Sequence, residues 1–262
     1  MHEPRTGDVK IRMRDLSIRY DAFVALENVA LDVHDGEFVC LLGPSGCGKT
    51  TLLNAIAGFV FPSEGELIVQ GKAVSGPGRD RGVVFQEYAL FPWFTVEQNI
   101  QYGPRSRGVR GDALAALSQR YLELVQLTGF AQSYPNQLSG GMRQRVAIAR
   151  ALANDPAILL MDEPFGALDA LTRETLQDEL VNIWEKERRT CVFVTHSLGE
   201  AVYLADRVVV MATAPGRIQQ VLENPLARPR DRASDAFFAL YRAIDAVLRE
   251  VLSDGQPSPS GD

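Results

Sequence analysis

The chain has 262 residues, which is enough for one large domain or two small ones at about 100–200 residues per domain. Hydrophobic residues make up 46% of it and charged residues 23%, so it can bury a core without disulfide bonds. Its formal net charge of −6 argues against attachment to nucleic acid or anionic lipid through an overall positive field. No apolar run approaches the roughly 18 residues that cross a bilayer, and the first residues lack a signal-peptide core. The three widely spaced cysteines predict free thiols in a reducing cytoplasm and no zinc site.

The first strand is predicted from alternating hydrophobicity. Apolar residues alternate with charged ones from Val9 to Met13, and the alternation changes phase before Leu16. A period of two predicts a half-exposed strand, and the phase change predicts a bulge near its middle. A second strand-like stretch reaches Val33, and a turn is expected directly after it.

Short continuous apolar runs predict the buried strands of a parallel sheet. The first is Phe38–Leu42; a glycine-rich loop follows it, and then a helix over Lys49–Ala57 that Gly58 can end. Further buried strands are predicted at residues 82–85, 158–161, 192–195 and 208–211. Helical spacing between two of these strands is seen at Leu176, Leu180, Ile183 and Trp184. The alternation of strands and helices predicts an α/β fold with a parallel sheet covered by helices.

The middle and the end of the chain have a different character. From about residue 89 to residue 153 no strand is predicted, and an amphipathic helix is indicated by Leu114, Leu117, Tyr121 and Val125. We interpret residues 89–153 as a helical subdomain inserted into an α/β domain of residues 9–235. Residues 236–252 carry an apolar stripe at helical spacing, and this helix is expected either to pack on the domain or to bind a partner. Residues 253–262 are expected to be disordered.

The loop after the first buried strand matches the phosphate-binding pattern G-x-x-x-x-G-K-[ST]. It consists of Gly43, Pro44, Ser45, Gly46, Cys47, Gly48, Lys49 and Thr50. Glycines let successive backbone N–H groups converge on phosphate oxygens, and the positive end of the following helix points at the same anion. Lys49 is expected to supply a positive charge to the phosphates, Thr50 a hydroxyl ligand to Mg²⁺, and Thr51 a further contact to ATP. The alternative is a structural glycine turn.

Cys47 lies inside this loop, next to a lysine and a helix N-terminus. Both neighbours favour the thiolate, so we expect a lowered pKa for Cys47. We therefore also expect thiol alkylators to inhibit the protein and MgATP to protect it. The alternative is that Cys47 is a small residue that only fills space.

An acidic pair follows the buried strand predicted at residues 158–161. Asp162 comes at the carboxyl end of that strand, where it is expected to reach Mg²⁺ through water. Glu163 follows directly and is expected to take a proton from the attacking water as general base. Such a pair can also be the polar start of a loop, and it is the phosphate loop that favours the catalytic interpretation.

Residues 138–145, with the sequence L-S-G-G-M-R-Q-R, resemble the signature sequence of the ATP-binding-cassette (ABC) ATPases. Met142 stands where the wider family more often has Gln. The resemblance covers about residues 9–225 and implies a P-loop NTPase fold of the ABC type, with an antiparallel β part and an inserted helical subdomain. It also implies that Ser139, Gly140 and Gly141 contact ATP bound to a second ATP-binding subunit. Two cassettes, most simply two copies of this chain, would then close around two nucleotides.

Four further residues take roles from the same resemblance. Tyr20 precedes the phosphate loop where the family stacks an aromatic ring on adenine, and Gln86 resembles the strand-ending glutamine that contacts Mg²⁺ and the lytic water. Asp169 ends a segment, residues 167–169, that resembles the D-loop, and His196 resembles the switch histidine that faces the γ-phosphate. Plainer alternatives are that Tyr20 merely ends a strand, that Gln86 is a surface residue and that His196 is a loop histidine.

Other segments are similar to the ATPase subunits of nitrate, sulfonate and taurine importers, namely residues 90–96, 164–173, 214–218 and 228–232. This similarity implies an ATP-hydrolysing subunit that drives a separate integral-membrane permease at the cytoplasmic face of a prokaryotic inner membrane. An extracytoplasmic substrate-binding protein would feed the permease. The aromatic residues between 91 and 94 would lie near the permease or in the core of the helical subdomain.

Three alternatives to an importer subunit stay open at this point. They are an ABC ATPase of DNA repair or translation, a transporter subunit for another small solute, and a nucleotide-binding regulator. The short spacing from Gln86 to Ser139 leaves no room for the long coiled coils of the DNA-repair type. Glu163 and His196 argue against a regulator, because both residue types serve hydrolysis in the family.

Overall fold

The computed structural model describes residues 8–166 and 168–254. The chain forms two compact units: unit 1 contains Met1–Pro77 and Thr190–Asp262, and unit 2 contains Gly78–Arg189. Unit 2 is therefore one continuous segment inserted between two parts of unit 1 along the chain. Each unit has its own set of buried apolar side chains.

The strands, numbered along the whole chain, are β1 (Val9–Tyr20), β2 (Phe23–His34), β3 (Phe38–Leu42), β4 (Glu64–Val69), β5 (Lys72–Ala73), β6 (Arg81–Val84), β7 (Ile158–Asp162), β8 (Thr190–Thr195), β9 (Arg207–Ala212) and β10 (Arg217–Glu223). The helices are α1 (Lys49–Ala57), α2 (Val96–Ser106), α3 (Gly111–Leu124), α4 (Gly140–Leu152), α5 (Ala170–Glu187), α6 (Leu198–Leu204) and α7 (Asp235–Asp254). Unit 2 holds β6, β7 and α2 to α5, and the other elements belong to unit 1. In the described part of the chain, none of the helices combines the length and the apolar character that crossing a membrane requires.

Four strands of unit 1 form an antiparallel sheet in the order β2-β1-β4-β5. The register of β1 against β2 shifts between Met13 and Leu16, on either side of Asp15, whose φ of 47° is left-handed. Met13 and Leu16 are both buried although they are three positions apart. The predicted bulge is thus confirmed, and it lets β1 keep apolar side chains inward on both sides of the phase change.

β3 is the centre of the parallel sheet of unit 1. It pairs in parallel with β8 on one side and with β9 on the other, and β10 adds an antiparallel strand beyond β9. All five side chains of β3 are buried, which explains its continuous apolar run. Leu42 pairs with Thr195 across the ladder between β3 and β8, so these two strands end at the same level.

Helices pack on the sheets within unit 1. α1 contacts β8 and β2, α6 contacts β3, and α7 contacts α6, β9 and β10. The buried residues of the apolar stripe of α7 are Phe237, Ile244, Val247 and Val251. This burial favours the packed alternative for the C-terminal helix. The helix continues through Ser253 to Asp254, so these two residues do not belong to a disordered tail as expected; the rest of that tail, residues 255–262, lies outside the described residues.

The part of unit 2 that the structure describes has two parallel strands and four α-helices. β6 pairs with β7, and Val84 lies opposite Met161. No strand interrupts residues 89–153, a stretch that the structure describes throughout, and α4 contacts α2, α3, α5 and β6. α4 starts at Gly140, directly after Ser139, and α2 was not predicted. The start of α2 is marked by a capping box in which Thr95 and Gln98 satisfy each other's backbone N–H groups.

Candidate functional site

The phosphate loop connects the end of β3 to the start of α1. Gly48 is the residue before α1, and in the described chain no side chain caps this helix end. The first backbone N–H groups of a helix have no partner inside the helix and carry partial positive charge. An anion is therefore the partner that this uncapped end favours.

Two glycines of the loop have the left-handed backbone that only glycine adopts without strain. Gly46 has a φ of +80° and Gly48 a φ of +90°. A β-carbon at position 46 would meet no atom within 4 Å, whereas one at position 48 would lie 2.4 Å from Leu26 Cδ2 and 3.1 Å from Ala25 O. Gly48 is thus required both for its conformation and for the close packing of the loop on β2.

The Lys49 side chain is only 6% exposed. Its Nζ donates hydrogen bonds to Gly43 O at 2.8 Å and to Pro44 O at 2.9 Å. The loop therefore holds a positive charge against its own backbone at the start of α1. Together with the uncapped helix end and the hydroxyls of Ser45, Thr50 and Thr51, this set of donors fits a polyphosphate.

Cys47 is fully buried, and its Sγ lies 3.7 Å from Lys49 Nζ. Burial raises the pKa of the Cys47 thiol, and the neighbouring ammonium opposes this effect only in part. The expectation of a lowered pKa is therefore wrong. The sequence shows a lysine and a helix start beside Cys47, but it does not show that the thiol is removed from water.

Tyr20 and His196 are the other site residues predicted in unit 1. Tyr20 is the last residue of β1, and it is 47% exposed. His196 is exposed and follows the last residue of β8. Because Leu42 pairs with Thr195, the phosphate loop and His196 leave adjacent strands at the same level. Unit 1 thus brings the phosphate loop and the histidine to one edge of the sheet.

Gln86 and the acidic pair Asp162 and Glu163 lie in unit 2. Asp162 is the last residue of β7, and Glu163 follows with a left-handed φ of 42°. β6 ends at Val84, so Gln86 lies two residues beyond the strand instead of ending it. A β-carbon at Gly166 would lie 3.6 Å from Gln86 Nε2 and 3.8 Å from Glu163 Oε2, so the amide and the carboxylate converge on the same small space.

The signature residues begin α4, also in unit 2. Ser139 caps the helix, because its Oγ accepts a hydrogen bond from Met142 N at 3.3 Å. A β-carbon at Gly141 would lie 3.0 Å from Thr172 Cγ2, so glycine at this position lets α4 pack closely on α5. Gly140 is less crowded, with the nearest side-chain atom 3.2 Å from a β-carbon placed there. The serine and the glycines therefore have a local structural reason as well as an expected role at ATP.

Asp169 caps α5 in the same manner. Its Oδ1 accepts a hydrogen bond from Thr172 N at 3.0 Å, and this bond lowers the pKa of the Asp169 carboxyl. Ala167, in the segment that resembles the D-loop, lies outside the described residues.

Two buried polar residues were not singled out from the sequence. Glu200 is buried and accepts a hydrogen bond from Thr195 Oγ1 at 2.5 Å, directly before His196. The spacing from Ser197 to Glu200 matches a capping-box pattern, which could have revealed the start of α6. Asn99 is also buried, and it holds the aromatic residues before α2 through bonds to their backbone. No local pattern marks Asn99.

A glycine-rich loop between a buried parallel strand and a helix, with a lysine held at the helix start, defines an ATP-binding protein of the P-loop NTPase class. The chain belongs to the ABC transporter family, whose sequence profile, described as "ABC transporter", matches residues 26–166.

Three known proteins show how this chain is related to the family. An uncharacterized ABC transporter ATP-binding protein of Methanocaldococcus jannaschii is 54% identical over 226 residues, which cover 86% of this chain and 85% of that protein. An aliphatic sulfonates import ATP-binding protein of Bacillus thuringiensis is 49% identical over 219 residues, 84% of this chain and 86% of that protein. A solved dimer of the ATP-binding cassette MJ0796, in a post-hydrolysis state with ADP and Pi, matches with a TM-score of 0.71 and 34% identity, covering 83% of this chain and all of that one. The protein is therefore an ABC ATPase, the ATP-binding subunit of a transporter.

Proposed function

We propose that this protein is the ATP-hydrolysing subunit of an importer for a small anion or zwitterion, such as a sulfonate, nitrate or taurine. The observation that carries the proposal is the 49% identity to an aliphatic sulfonates import ATP-binding protein over 84% of this chain. The similarity extends over most of the chain rather than over the phosphate loop alone, which favours a subunit of the same kind of transporter. Neither DNA repair nor translation is supported by any feature of the described residues.

In this proposal the residues of unit 1 bind the nucleotide. The loop N–H groups and Lys49 hold the phosphates of ATP, with Ser45 and Thr51 as further donors. Tyr20 stacks on the adenine, and its exposed ring is available for this contact. His196 contacts the γ-phosphate, which fits its position at the level of the phosphate loop.

The residues of unit 2 prepare the water in the same proposal. Glu163 accepts the proton of the attacking water, and Gln86 orients that water. The convergence of their polar ends near Gly166 supports this pairing. Mg²⁺ supplies charge neutralisation of the phosphates when it is bound, and Thr50, Gln86 and Asp162 are its proposed ligands. Among the described residues no three or more His, Cys, Asp or Glu side chains form a metal-binding group, which fits a magnesium ion that takes most of its ligands from phosphate and water.

The proposed partners follow from the same family. A second copy of the chain completes the site, with Ser139, Gly140, Gly141 and Asp169 contacting the ATP held by that copy. An integral-membrane permease binds the cassette pair at the cytoplasmic face of the membrane, and an extracytoplasmic binding protein delivers the cargo. The exposed Trp93, 66% accessible in the aromatic segment before α2, supports a contact of this segment with the permease.

The ATPase mechanism is tested with Glu163→Gln. This variant should bind ATP, hydrolyse it at least 100-fold more slowly and run as a dimer in size-exclusion chromatography with ATP, because ATP that is not cleaved holds the pair closed. Glu174→Gln, which removes an exposed carboxylate of α5, is the matched control and should behave like the parent. Undiminished turnover of Glu163→Gln would exclude Glu163 as the base.

The cargo is tested by growth of a strain that lacks this gene. Nitrate, taurine or an aliphatic sulfonate is supplied as the sole source of nitrogen or sulfur, and the gene is restored as parent or as Glu163→Gln. We expect growth to fail on one of these compounds and to be rescued by the parent alone. Normal growth of the deletion strain on all three would refute the proposed class of cargo.

A further inference from the structure

Three side chains that follow β10 bind the C-terminal end of α6. They are Asn224, Arg228 and Arg230, here named the α6 cap cluster. Their acceptors on α6 and the next residue are the backbone carbonyl oxygens of Val202, Tyr203, Leu204 and Ala205. All of these residues belong to unit 1. The last carbonyl groups of a helix normally lack partners within it, and here side chains from a distant part of the sequence supply them.

The hydrogen bonds of the α6 cap cluster are short, and they reach all four of these carbonyl oxygens. Arg230 Nη1 donates to Tyr203 O at 2.8 Å and to Val202 O at 3.2 Å. Asn224 Nδ2 donates to Val202 O at 2.8 Å and to Ala205 O at 3.0 Å. Arg228 donates to the remaining carbonyl oxygen, that of Leu204, and also pairs with the carboxylate of Asp206 just beyond the helix.

Arg230 is an unusual residue to bury, and it is only 6% exposed. Burial lowers the pKa of its guanidinium to about 10, so the group is still a cation at neutral pH. The carbonyl end of a helix carries partial negative charge, which favours a cation there. Asp206, 3.8 Å away, is its ionic partner. A buried cation that binds the end of one short helix indicates that the position of this helix matters.

The opposite end of α6 is tied to the strand that carries the histidine. Ser197 caps the helix by accepting a hydrogen bond from Glu200 N at 3.4 Å. Glu200 in turn accepts a bond from Thr195 Oγ1 at 2.5 Å, and Thr195 Oγ1 accepts one from Ser197 N at 3.0 Å. His196 lies between Thr195 and Ser197, so its backbone is enclosed by these bonds.

α6 has seven residues, and a helix of this length is not stable in isolation. Its position depends on its packing against β3, β8 and α7 and on the bonds that hold its two ends. The Thr195–Glu200 bond holds one end, and the α6 cap cluster holds the other. Loosening the second end would let the helix shift and would move the backbone on which His196 sits.

We propose that Asn224, Arg228 and Arg230 are positioning residues for ATP hydrolysis, which orient His196 through α6 and contact no nucleotide themselves. The proposal rests on the proposed role of His196. It gives a physical role to Arg228 and Arg230, which lie in the segment 228–232 that is similar to the importer subunits.

The kinetic test compares Arg230→Met with Arg207→Met. Arg207 is a matched control, since it is a largely buried arginine of unit 1 whose guanidinium bonds to Glu37 and to Asp32 O instead of to the carbonyls of α6. Arg230→Met should lower the kcat of MgATP hydrolysis at least tenfold and leave the KM for ATP within twofold, because the phosphate loop is untouched. Arg207→Met should keep both constants within twofold of the parent even where its Tm falls. Equal kcat values for the two variants would overturn the proposal.

A second variant covers the case in which Arg230→Met does not fold. Asn224→Asp has the same shape and keeps the oxygen that accepts from Leu226 N, but it loses both bonds that Nδ2 donates to Val202 O and Ala205 O. It should show the same fall in kcat at unchanged KM. Arg230→Lys should recover part of the rate lost in Arg230→Met, because one charged donor remains.

The structural test uses the imidazole signals of the full-length protein, which has three histidines. In Arg230→Met the ring resonances of His196 should shift or broaden, while those of His34 stay in place. Unchanged His196 resonances would overturn the proposal whatever the kinetics show.

His196→Ala separates this proposal from the proposed function. If His196→Ala loses hydrolysis while Arg230→Met matches Arg207→Met, the positioning role is wrong and the role of His196 stands. If His196→Ala hydrolyses ATP at the parental rate, the role of His196 fails, and the positioning role fails with it.

Discussion

The glycines of the phosphate loop allow a stability prediction with a built-in control. Gly46 and Gly48 both have left-handed backbones, but only Gly48 faces packed atoms. Gly46→Ala should therefore lower the free energy of unfolding only by the strain of a left-handed backbone at a residue with a β-carbon, about 1–2 kcal/mol. Gly48→Ala should lower the free energy of unfolding by the same amount and, in addition, by the energy needed to displace the fully buried Leu26.

The size of the second cost follows from the contact distance. A β-carbon 2.4 Å from Leu26 Cδ2 cannot be accommodated without movement of that side chain. Forcing extra atoms into a packed core costs about 1–3 kcal/mol. With a urea m-value of about 3 kcal/mol/M, Gly48→Ala should unfold at a urea concentration about 0.3–1 M below that of Gly46→Ala.

The assay is urea unfolding without nucleotide, followed by far-UV circular dichroism. Circular dichroism is chosen because unit 1 contributes to it directly, whereas both tryptophans, Trp93 and Trp184, lie in unit 2. The double variant Gly48→Ala/Leu26→Ala removes the methyl group that clashes. In the Leu26→Ala background the cost of Gly48→Ala should fall towards that of Gly46→Ala, with only the 3.1 Å approach to Ala25 O left, and this coupling reveals the contact. Equal midpoints for the two single glycine variants would refute the steric argument.

Two further predictions concern buried polar groups. Because burial raises the pKa of Cys47, the folded protein should react with a thiol reagent at neutral pH far more slowly than a free cysteine does, and it should react faster when urea opens the loop. The raised pKa stabilises the folded state at pH values below the ordinary pKa of a thiol, and this contribution is lost as pH rises above about 9. The loss of stability at alkaline pH should therefore be smaller in Cys47→Ser. Immediate reaction of the folded protein with the thiol reagent would contradict this reasoning. Asn99→Leu should destabilise unit 2 by about 2–5 kcal/mol, because Asn99 Nδ2 donates to three backbone carbonyls and its Oδ1 accepts from Phe91 N. Unfolding followed by tryptophan fluorescence measures this effect, and a change as small as that of the exposed control Asn136→Ala would show that these bonds contribute little.

The elements that were predicted with correct bounds have a strong local pattern. β3 is a continuous apolar run between a turn and a glycine loop, and α1 is bounded by Gly48 and Gly58, so both elements match their expected limits. Two of the missed elements, α6 and β10, lack such a pattern along their length. α6 has too few residues to show a helical period, and β10 has an exposed surface with a mixed sequence.

The part of the candidate site that rests on a local pattern could be predicted from the sequence, and the part that depends on burial could not. The phosphate loop brings its glycines and Lys49 together within a few residues, so the pattern alone located them. The pKa of Cys47 depends on its removal from water, which the sequence does not show. Arg230 is the clearest case, since its bonds go to carbonyl groups of a helix that lies more than twenty positions earlier, and backbone acceptors leave no trace in residue identity.

The pairing of Leu42 with Thr195 joins two positions that are distant along the chain. Because a strand rises about 3.3 Å per residue, deletion of one residue inside β8 would draw His196 back from the level of Gly43 by about that distance. The same deletion would turn the side chains of β8 that lie on one side of the deleted residue to the opposite face of the sheet. We therefore expect changes of length to be tolerated in the loops between these strands and not within the strands themselves. The spacing of this half of the site is set by hydrogen-bond register.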